Sequence, residues 1–213
     1  MNILYCDNEI IVCEKPRRIL STDEPGGMPS LVRDALGDSR ADVRTVHRLD
    51  QVVGGVMVLA RSADAASELS RQIRENVFAK EYLAVVHGMI PEMSGNFRDL
   101  LYRDKAQRKT YIVQEPGKGV QEALLRYETL FCTENMTCVR IFLETGRTHQ
   151  IRAQFSGRGY PLIGDRKYSL LQDDCEIALW SSRLSFLHPI SGKQMSFSLR
   201  PPEEYPWNEC KIP

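Results

Sequence analysis

The segment 47–55, His-Arg-Leu-Asp-Gln-Val-Val-Gly-Gly, combines an imidazole, a guanidinium and a carboxylate within a few residues. Asp50 stands just ahead of residues 56–60, an apolar run with the length of a buried strand. A carboxylate at this place is carried by a rigid element and stays at its open end. Gly54 and Gly55 let another chain or a ligand come close to the backbone. An isolated Arg-x-Asp pattern is more often a turn in which Arg48 pairs with Asp50, so this segment alone establishes no function.

The segment 144–152, Glu-Thr-Gly-Arg-Thr-His-Gln-Ile-Arg, is the second with reactive side chains. It follows a predicted strand, turns at Gly146 and opens a helix that Thr148 can cap. Backbone N–H groups at such a turn, together with the side chains of Arg147 and Arg152, surround a point that suits an anion. A capped helix with a solvated charged face is the commoner meaning of this pattern, so this segment is also not decisive by itself.

The bulk composition limits the class of protein. The chain has 213 residues, of which 42% are hydrophobic and 26% charged, as in an ordinary globular domain. These values argue against a disordered or fibrous protein. No apolar run approaches the roughly 20 residues of a membrane helix, and the first residues lack the pattern of a secretory signal. We therefore expect a single cytoplasmic domain over residues 1–213.

The cysteines and histidines do not indicate a metal site. The six cysteines include no Cys-x-x-Cys pair, and the four histidines are not at zinc-ligand spacing beside them. We expect free thiols and no metal.

Positive charge is concentrated locally in a chain whose net charge is zero. A nucleic-acid-binding protein of this composition therefore needs a local basic surface. Solvated charged faces would give the same pattern. The candidate basic residues are Arg44, Arg48, Arg103, Lys105, Arg108, Lys109, Arg147, Arg152, Arg158, Arg166 and Lys167.

The elements that must position these residues form one strand-rich α+β domain with mostly antiparallel neighbours. A helix capped by Ser62 should place Ala66, Leu69, Ile73 and Val77 on one face. A short helix is expected over 31–36 and another from Thr148 to about Gly157. Strands are predicted over residues 3–5, 10–12, 55–60, 82–86, 110–113, 123–131, 137–143, 177–186 and 195–199.

Taken together and in order, the motifs resemble those of the RluA-type pseudouridine synthases. His-Arg-Leu-Asp at 47–50, Lys-Glu-Tyr at 80–82 and Gly-Arg-Thr-His-Gln-Ile-Arg at 146–152 resemble three family motifs. Residues 159–168, with Pro-Leu-Ile-Gly-Asp and a final tyrosine, resemble the element that follows. Lys15-Pro16 and His188-Pro189 also have family equivalents. The resemblance covers essentially the whole chain, so we expect no S4-like RNA-binding extension of the kind that many relatives carry.

The resemblance implies a cofactor-free, monomeric enzyme that isomerises a uridine in ribosomal or transfer RNA. It assigns the catalytic carboxylate to Asp50, and Arg152 as the guanidinium that keeps this carboxylate ionised. It assigns Tyr82 to stacking on the target base and Ile151 to packing on the other side of that base. Arg48 would enter the RNA stack as the uridine leaves it. The remaining motif residues, expected to bind substrate or to orient their neighbours, are His47, Arg147 and His149.

Three departures from the family pattern leave other functions open. Val53-Gly54 replaces a common Thr-Ser, Arg17-Arg18 replaces small residues, and Ala153-Gln154 replaces an aliphatic residue and a histidine. The changed turn at 53–54 is the support for a catalytically inactive RNA-binding protein or an RNA chaperone of the same fold. A hydrolase that uses Asp50 is a third hypothesis, although the sequence indicates no second carboxylate to act with it.

Overall fold

The computed structural model describes residues 1–210, and these form two compact units. The first unit comprises Met1–Lys80 and Trp180–Arg200, and the second comprises Glu81–Leu179 and the described residues of 201–210. The single domain over 1–213 stays a prediction, and 211–213 lie outside the described residues. No helix within residues 1–210 has the length and apolar character needed to cross a membrane.

The elements are mostly strands, with three helices and a 3-10 turn among the described residues. In chain order they are β1 (Ile3–Cys6), β2 (Ile10–Lys15), α1 (Met28–Leu36), β3 (Arg44–Thr45), β4 (Gly54–Ala60), α2 (Ala63–Arg74), β5 (Ala79–His87), β6 (Ser94–Asp104), β7 (Lys109–Val113), β8 (Val120–Cys132), β9 (Met136–Leu143), α3 (Gln150–Ser156), β10 (Leu179–Leu187), β11 (Gln194–Ser198) and the 3-10 helix Trp207–Glu209. This content confirms the predicted α+β class.

In the first unit the strands lie in the order β1-β2-β4-β10, with β3 beside β4 and β11 beside β10. The pairing of β4 with β10 is parallel, and the others are antiparallel. Alternate side chains face opposite clusters, since Val12 and Val58 pack with Leu69 whereas Met57 packs with Val32. Both faces of β4 are therefore covered, which explains why all seven of its residues are buried.

Helix α2 confirms one sequence prediction and corrects another. The Ser62 side chain accepts a hydrogen bond of 3.1 Å from the Ala65 N–H, as an N-cap does. The helix ends at Arg74, so Val77 does not continue its buried face and is 44% exposed. The cause is local, because Asn76 adopts the left-handed conformation with φ 57°.

In the second unit the strands lie in the order β5-β9-β8-β6-β7, and β8 pairs antiparallel with both β6 and β9. Strand β6 escaped the sequence analysis because most of its residues are polar or charged. Phe97 and Leu101 are its buried side chains. Its register along β8, from Ser94 opposite Glu128 to Tyr102 opposite Val120, comes from backbone pairing rather than from intrinsic strand preference.

The start of α3 differs from the prediction. Thr148 is not the cap; the capping position is His149, which has φ 54° and forms no side-chain capping bond. The Gln150 side chain does the corresponding work, since its Oε1 accepts from the Arg147 N–H at 3.0 Å and from the Thr145 hydroxyl at 2.7 Å. The turn and the helix are therefore held together by an amide that the capping pattern did not indicate.

Candidate functional site

The turn that carries Asp50 begins with residues of alternating exposure. His47 and Leu49 are buried, Arg48 is exposed and Asp50 is half-buried. This alternation directs the guanidinium and the carboxylate away from the core, while their neighbours anchor the backbone. The Val53 N–H donates to the Asp50 carbonyl at 2.9 Å and closes the turn.

A fully buried lysine forms hydrogen bonds to the backbone of this turn. The Lys15 ammonium donates to the carbonyls of Pro16 at 3.0 Å, Gln51 at 3.2 Å and Val53 at 2.8 Å. Burial lowers the pKa of Lys15 to about 8, and the nearby charge of Asp50 acts in the opposite direction. Sequence reasoning noted Lys15 only as a motif residue and missed this role. The available signal was a lysine that ends a run of strand residues.

His47 and Leu49 are fixed by hydrogen bonds inside the core. His47 Nε2 accepts from the Val58 N–H at 3.1 Å, and burial lowers the pKa of His47 to about 3. The imidazole is therefore neutral and carries its proton on Nδ1. The Ser21 hydroxyl donates to the Leu49 carbonyl at 2.9 Å and accepts from the Leu49 N–H at 3.1 Å. Both anchors lie within three residues of Asp50.

The two glycines after the turn allow the close approach that the sequence predicted. A Cβ on Gly54 would collide with the Trp180 ring, and Gly55, at φ 124°, lies against the backbone of Ser181. A serine at position 54 is therefore incompatible with Trp180 in this position. The guanidinium carbon of Arg17 lies 5.9 Å from the centroid of the same indole. Two departures from the family pattern thus meet at one tryptophan.

In the second unit, Arg152 is held by a carboxylate of its own unit. Arg152 is 5% exposed, and its Nε and Nη2 donate to the two oxygens of Asp165, each at 2.7 Å. Asp165 is 1% exposed and also accepts from the Lys167 N–H at 3.0 Å. Sequence reasoning quoted Asp165 within a motif but did not identify it as a partner of Arg152. The pairing of Arg152 with Asp50 stays a prediction.

Tyr168 connects the start of α3 to β7. Its hydroxyl accepts from the Thr110 N–H at 2.7 Å and lies 2.8 Å from His149 Nδ1. The Thr110 N–H and His149 Nδ1 therefore meet at one phenol oxygen. The ring of Tyr168 also lies 5.1 Å from the guanidinium carbon of Arg152.

The predicted site residues thus fall into two groups. The first unit holds His47, Arg48 and Asp50 on one turn. The second unit holds Arg147, His149, Ile151 and Arg152 in the turn before α3 and the first turn of that helix, and Tyr82 on β5. Tyr82 and Ile151 are 6% and 4% exposed. Within residues 1–210, no group of three or more His, Cys, Asp or Glu side chains could hold a metal ion.

The sequence is similar to one protein family and to individual members of it. Residues 9–157 match a family model described as RNA pseudouridylate synthase. A dual-specificity RNA pseudouridine synthase RluA from Pasteurella multocida is 33% identical, and the match covers 94% of this chain and 93% of that protein. A ribosomal large subunit pseudouridine synthase D from Zymomonas mobilis is 29% identical over 96% of this chain and 70% of its own length.

A comparison with solved structures shows the same fold. Human RNA Pseudouridylate Synthase Domain Containing 4 aligns with a TM-score of 0.78 over 94% of this chain and 88% of its own, at 21% identity. Human RNA Pseudouridylate Synthase Domain Containing 1 aligns with a TM-score of 0.79 over 98% and 86%, also at 21% identity. At this identity the likeness concerns the fold alone.

Proposed function

The chain belongs to the RluA-type RNA pseudouridine synthases, a family of isomerases, and we propose that it converts one uridine of a structured ribosomal or transfer RNA into pseudouridine. The reaction breaks the bond between ribose C1′ and uracil N1 and forms a bond between C1′ and C5. The proton on C5 is lost and N1 gains one, so the composition of the nucleotide is unchanged. No outside oxidant or reductant is needed.

The proposal is based on the hydrogen bonds that hold the backbone around Asp50. A carboxylate that attacks the ribose, or removes a proton from it, must be held in one orientation while the base turns. The donors from Lys15 and Ser21 fix the backbone on both sides of Asp50, and its side chain remains half-buried rather than part of the core. The turn is therefore rigid, and its carboxylate lies at the edge of the core.

The other roles follow from the family motifs. We assign Arg152 to keeping Asp50 ionised during the reaction, because a carboxylate in a dry site otherwise takes up a proton. Tyr82 stacks on the flipped base and its hydroxyl moves a proton late in the reaction, while Ile151 packs on the other side of the base. The exposed Arg48 enters the RNA stack, where its planar guanidinium offsets part of the few kcal/mol that base flipping requires.

The remaining motif residues have separate roles. His47 is a neutral, buried side chain that positions the Asp50 turn. We assign Arg147 and His149 to contact with the RNA.

Asp50→Asn tests the chemistry. We expect no pseudouridine from this variant, whereas its RNA affinity stays within about threefold of wild type, because the lost charge serves the reaction rather than docking. Pseudouridine is measured by chemical mapping, and affinity by filter binding. Asp34→Asn, which changes an exposed carboxylate of the same unit, is the matched control and should retain full activity. Full activity of Asp50→Asn would remove the proposed mechanism.

The RNA target is found by mapping pseudouridines in total RNA from cells with and without the gene. One site lost in the deletion strain, and restored by wild type but not by Asp50→Asn, identifies the substrate. RNA binding without pseudouridine at any site would instead support an inactive RNA-binding protein or an RNA chaperone.

A further inference from the structure

A cavity in the second unit contains two arginines that the Asp50 chemistry does not use. Its volume is about 30 Å³, enough for about two water-sized groups, since one such group needs roughly 10–15 Å³. The cavity lies at the edge formed by β6, β7, β8 and the turn before α3. Its polar lining consists of Arg103, Thr110, Gln121, Arg147 and Thr148, with Gly119 beside them.

The two guanidinium groups differ from most other arginines of this unit. Arg98, Arg126 and Arg158 each form an ion pair with a carboxylate at close distance. Within residues 1–210, neither Arg103 nor Arg147 forms such a pair.

The contacts that these two arginines do form are with an imidazole and a backbone carbonyl. Arg103 Nη1 lies 3.4 Å from His149 Nδ1, and Arg147 Nε donates to the Glu122 carbonyl at 2.9 Å. Two positive charges therefore share one cavity without an anionic partner.

The lining suits a phosphate group. Guanidinium groups present N–H donors in a planar fork that matches phosphate oxygens, and two of them can bind one group from two sides. Thr148 and Gln121 are exposed and add a hydroxyl and an amide at the mouth of the cavity. A lone cation would find two like charges here, and an apolar ligand would leave them unpaired.

The surface around the cavity favours a polyanion over a small free anion. The hairpin between β6 and β7 carries Lys105, Arg108 and Lys109, and Lys167 is attached to it through a 3.2 Å bond from its ammonium to the Arg108 carbonyl. Together with Arg103 and Arg147, these residues place six positively charged side chains at one edge of a sheet, although the net charge of the chain is zero. A nucleic-acid backbone places one negative charge per nucleotide along such a stripe.

We propose that Arg103 and Arg147 together bind one phosphate group of the substrate RNA backbone, and that the β6–β7 hairpin extends this contact to neighbouring phosphates. The site positions RNA and takes no part in the bond changes at the uridine. It rests on the proposed function only in that the polyanion is the RNA substrate. Arg103 belongs to no family motif identified in the sequence, whereas Arg147 and Thr148 lie in the motif at 146–152.

The test uses the full chain with Arg103→Gln, Arg147→Gln and the double variant. We expect each single variant to raise the dissociation constant and the KM for substrate RNA about tenfold, far more than any fall in kcat. The slope of log K against log salt should become shallower by nearly one in the double variant, because one phosphate contact is lost. Arg74→Gln removes an exposed arginine of the other unit and should change none of these values.

The outcomes separate this site from the proposed function. If the variants bind RNA with wild-type affinity and salt slope, the phosphate site is refuted, whereas pseudouridine formation by wild type still stands. A second outcome is that wild type forms no pseudouridine but binds RNA more tightly than either single variant. That result would support the phosphate site and refute the proposed function. Thermal unfolding of each variant shows whether the fold is intact, and Arg147→Lys, which keeps the charge, should recover part of the affinity.

Inorganic phosphate serves as the small-anion probe. If it stabilises wild type and not the double variant, while RNA affinity is equal in both, the cavity is a small-anion site and the RNA proposal is overturned. If it competes with RNA for wild type only, the RNA proposal is supported.

Discussion

The Asp50 turn and the first turn of α3 are held in place by opposite means. Under Asp50 a buried ammonium, Lys15, donates to neutral backbone carbonyls. At α3 a buried guanidinium, Arg152, is bound at two points by the carboxylate Asp165. The first support orders a backbone without adding a second anion beside Asp50. The second fixes a side chain and compensates its charge, because an uncompensated buried arginine is very costly.

We expect that removing the Arg152–Asp165 ion pair lowers the free energy of unfolding more than removing the Lys15 ammonium does. Asp165→Asn keeps the shape of the side chain but leaves Arg152 buried beside a neutral amide. We expect the free energy of unfolding to fall by about 3–5 kcal/mol, measured by urea denaturation. Glu122→Gln, which removes the half-exposed partner of Arg98, is the control and should cost less than about 1 kcal/mol. A loss below about 1 kcal/mol for Asp165→Asn would show that Asp165 is not the main counter-charge of Arg152.

Lys15→Met should have a smaller effect. The carbonyls of Pro16, Gln51 and Val53 lose their donor, but the variant no longer buries an ammonium, so the two changes partly cancel. We expect a loss of about 2 kcal/mol in the free energy of unfolding, together with a fall in kcat that exceeds any change in RNA affinity. Lys118→Met, at an exposed lysine, should lie within about 0.5 kcal/mol of wild type. A kcat equal to wild type would mean that Lys15 does not orient Asp50.

Some elements of the fold could be predicted from the sequence and others could not. Strand β4 and the Ser62 cap are predictable because a continuous apolar run and a capping hydroxyl are local signals. Strand β6 is not predictable in this way, because it forms through pairing with β8 rather than through its own composition. The ends of helices also escaped, since Asn76 and His149 adopt left-handed backbone conformations that periodicity does not encode.

The candidate site shows the same limit. Asp50 and Arg152 were found through motifs, but Lys15 and Asp165 act across separations of 38 and 13 residues and needed the fold to become visible. The replacement of Thr-Ser by Val53-Gly54 had no explanation in the sequence. The structure supplies one, because Trp180 lies where a side chain at position 54 would be. Compensation between residues that are 126 positions apart is outside the reach of local patterns.

His47, which is buried next to the Asp50 turn, makes the stability of the protein depend on pH. Its pKa is about 3 in the folded protein and near 6.5 when unfolded, so between these values the unfolded chain binds the extra proton. Its contribution to stability is complete above pH 6.5 and decreases by about 1.4 kcal/mol for each pH unit below it. In His47→Gln, whose amide oxygen can still accept from the Val58 N–H, urea unfolding between pH 7.5 and 4.5 should lose this slope. That range lies above the region where Asp7, with a pKa of about 2, contributes. An unchanged slope in the variant would mean that the Asp50 turn is not the acid-sensitive part of the molecule.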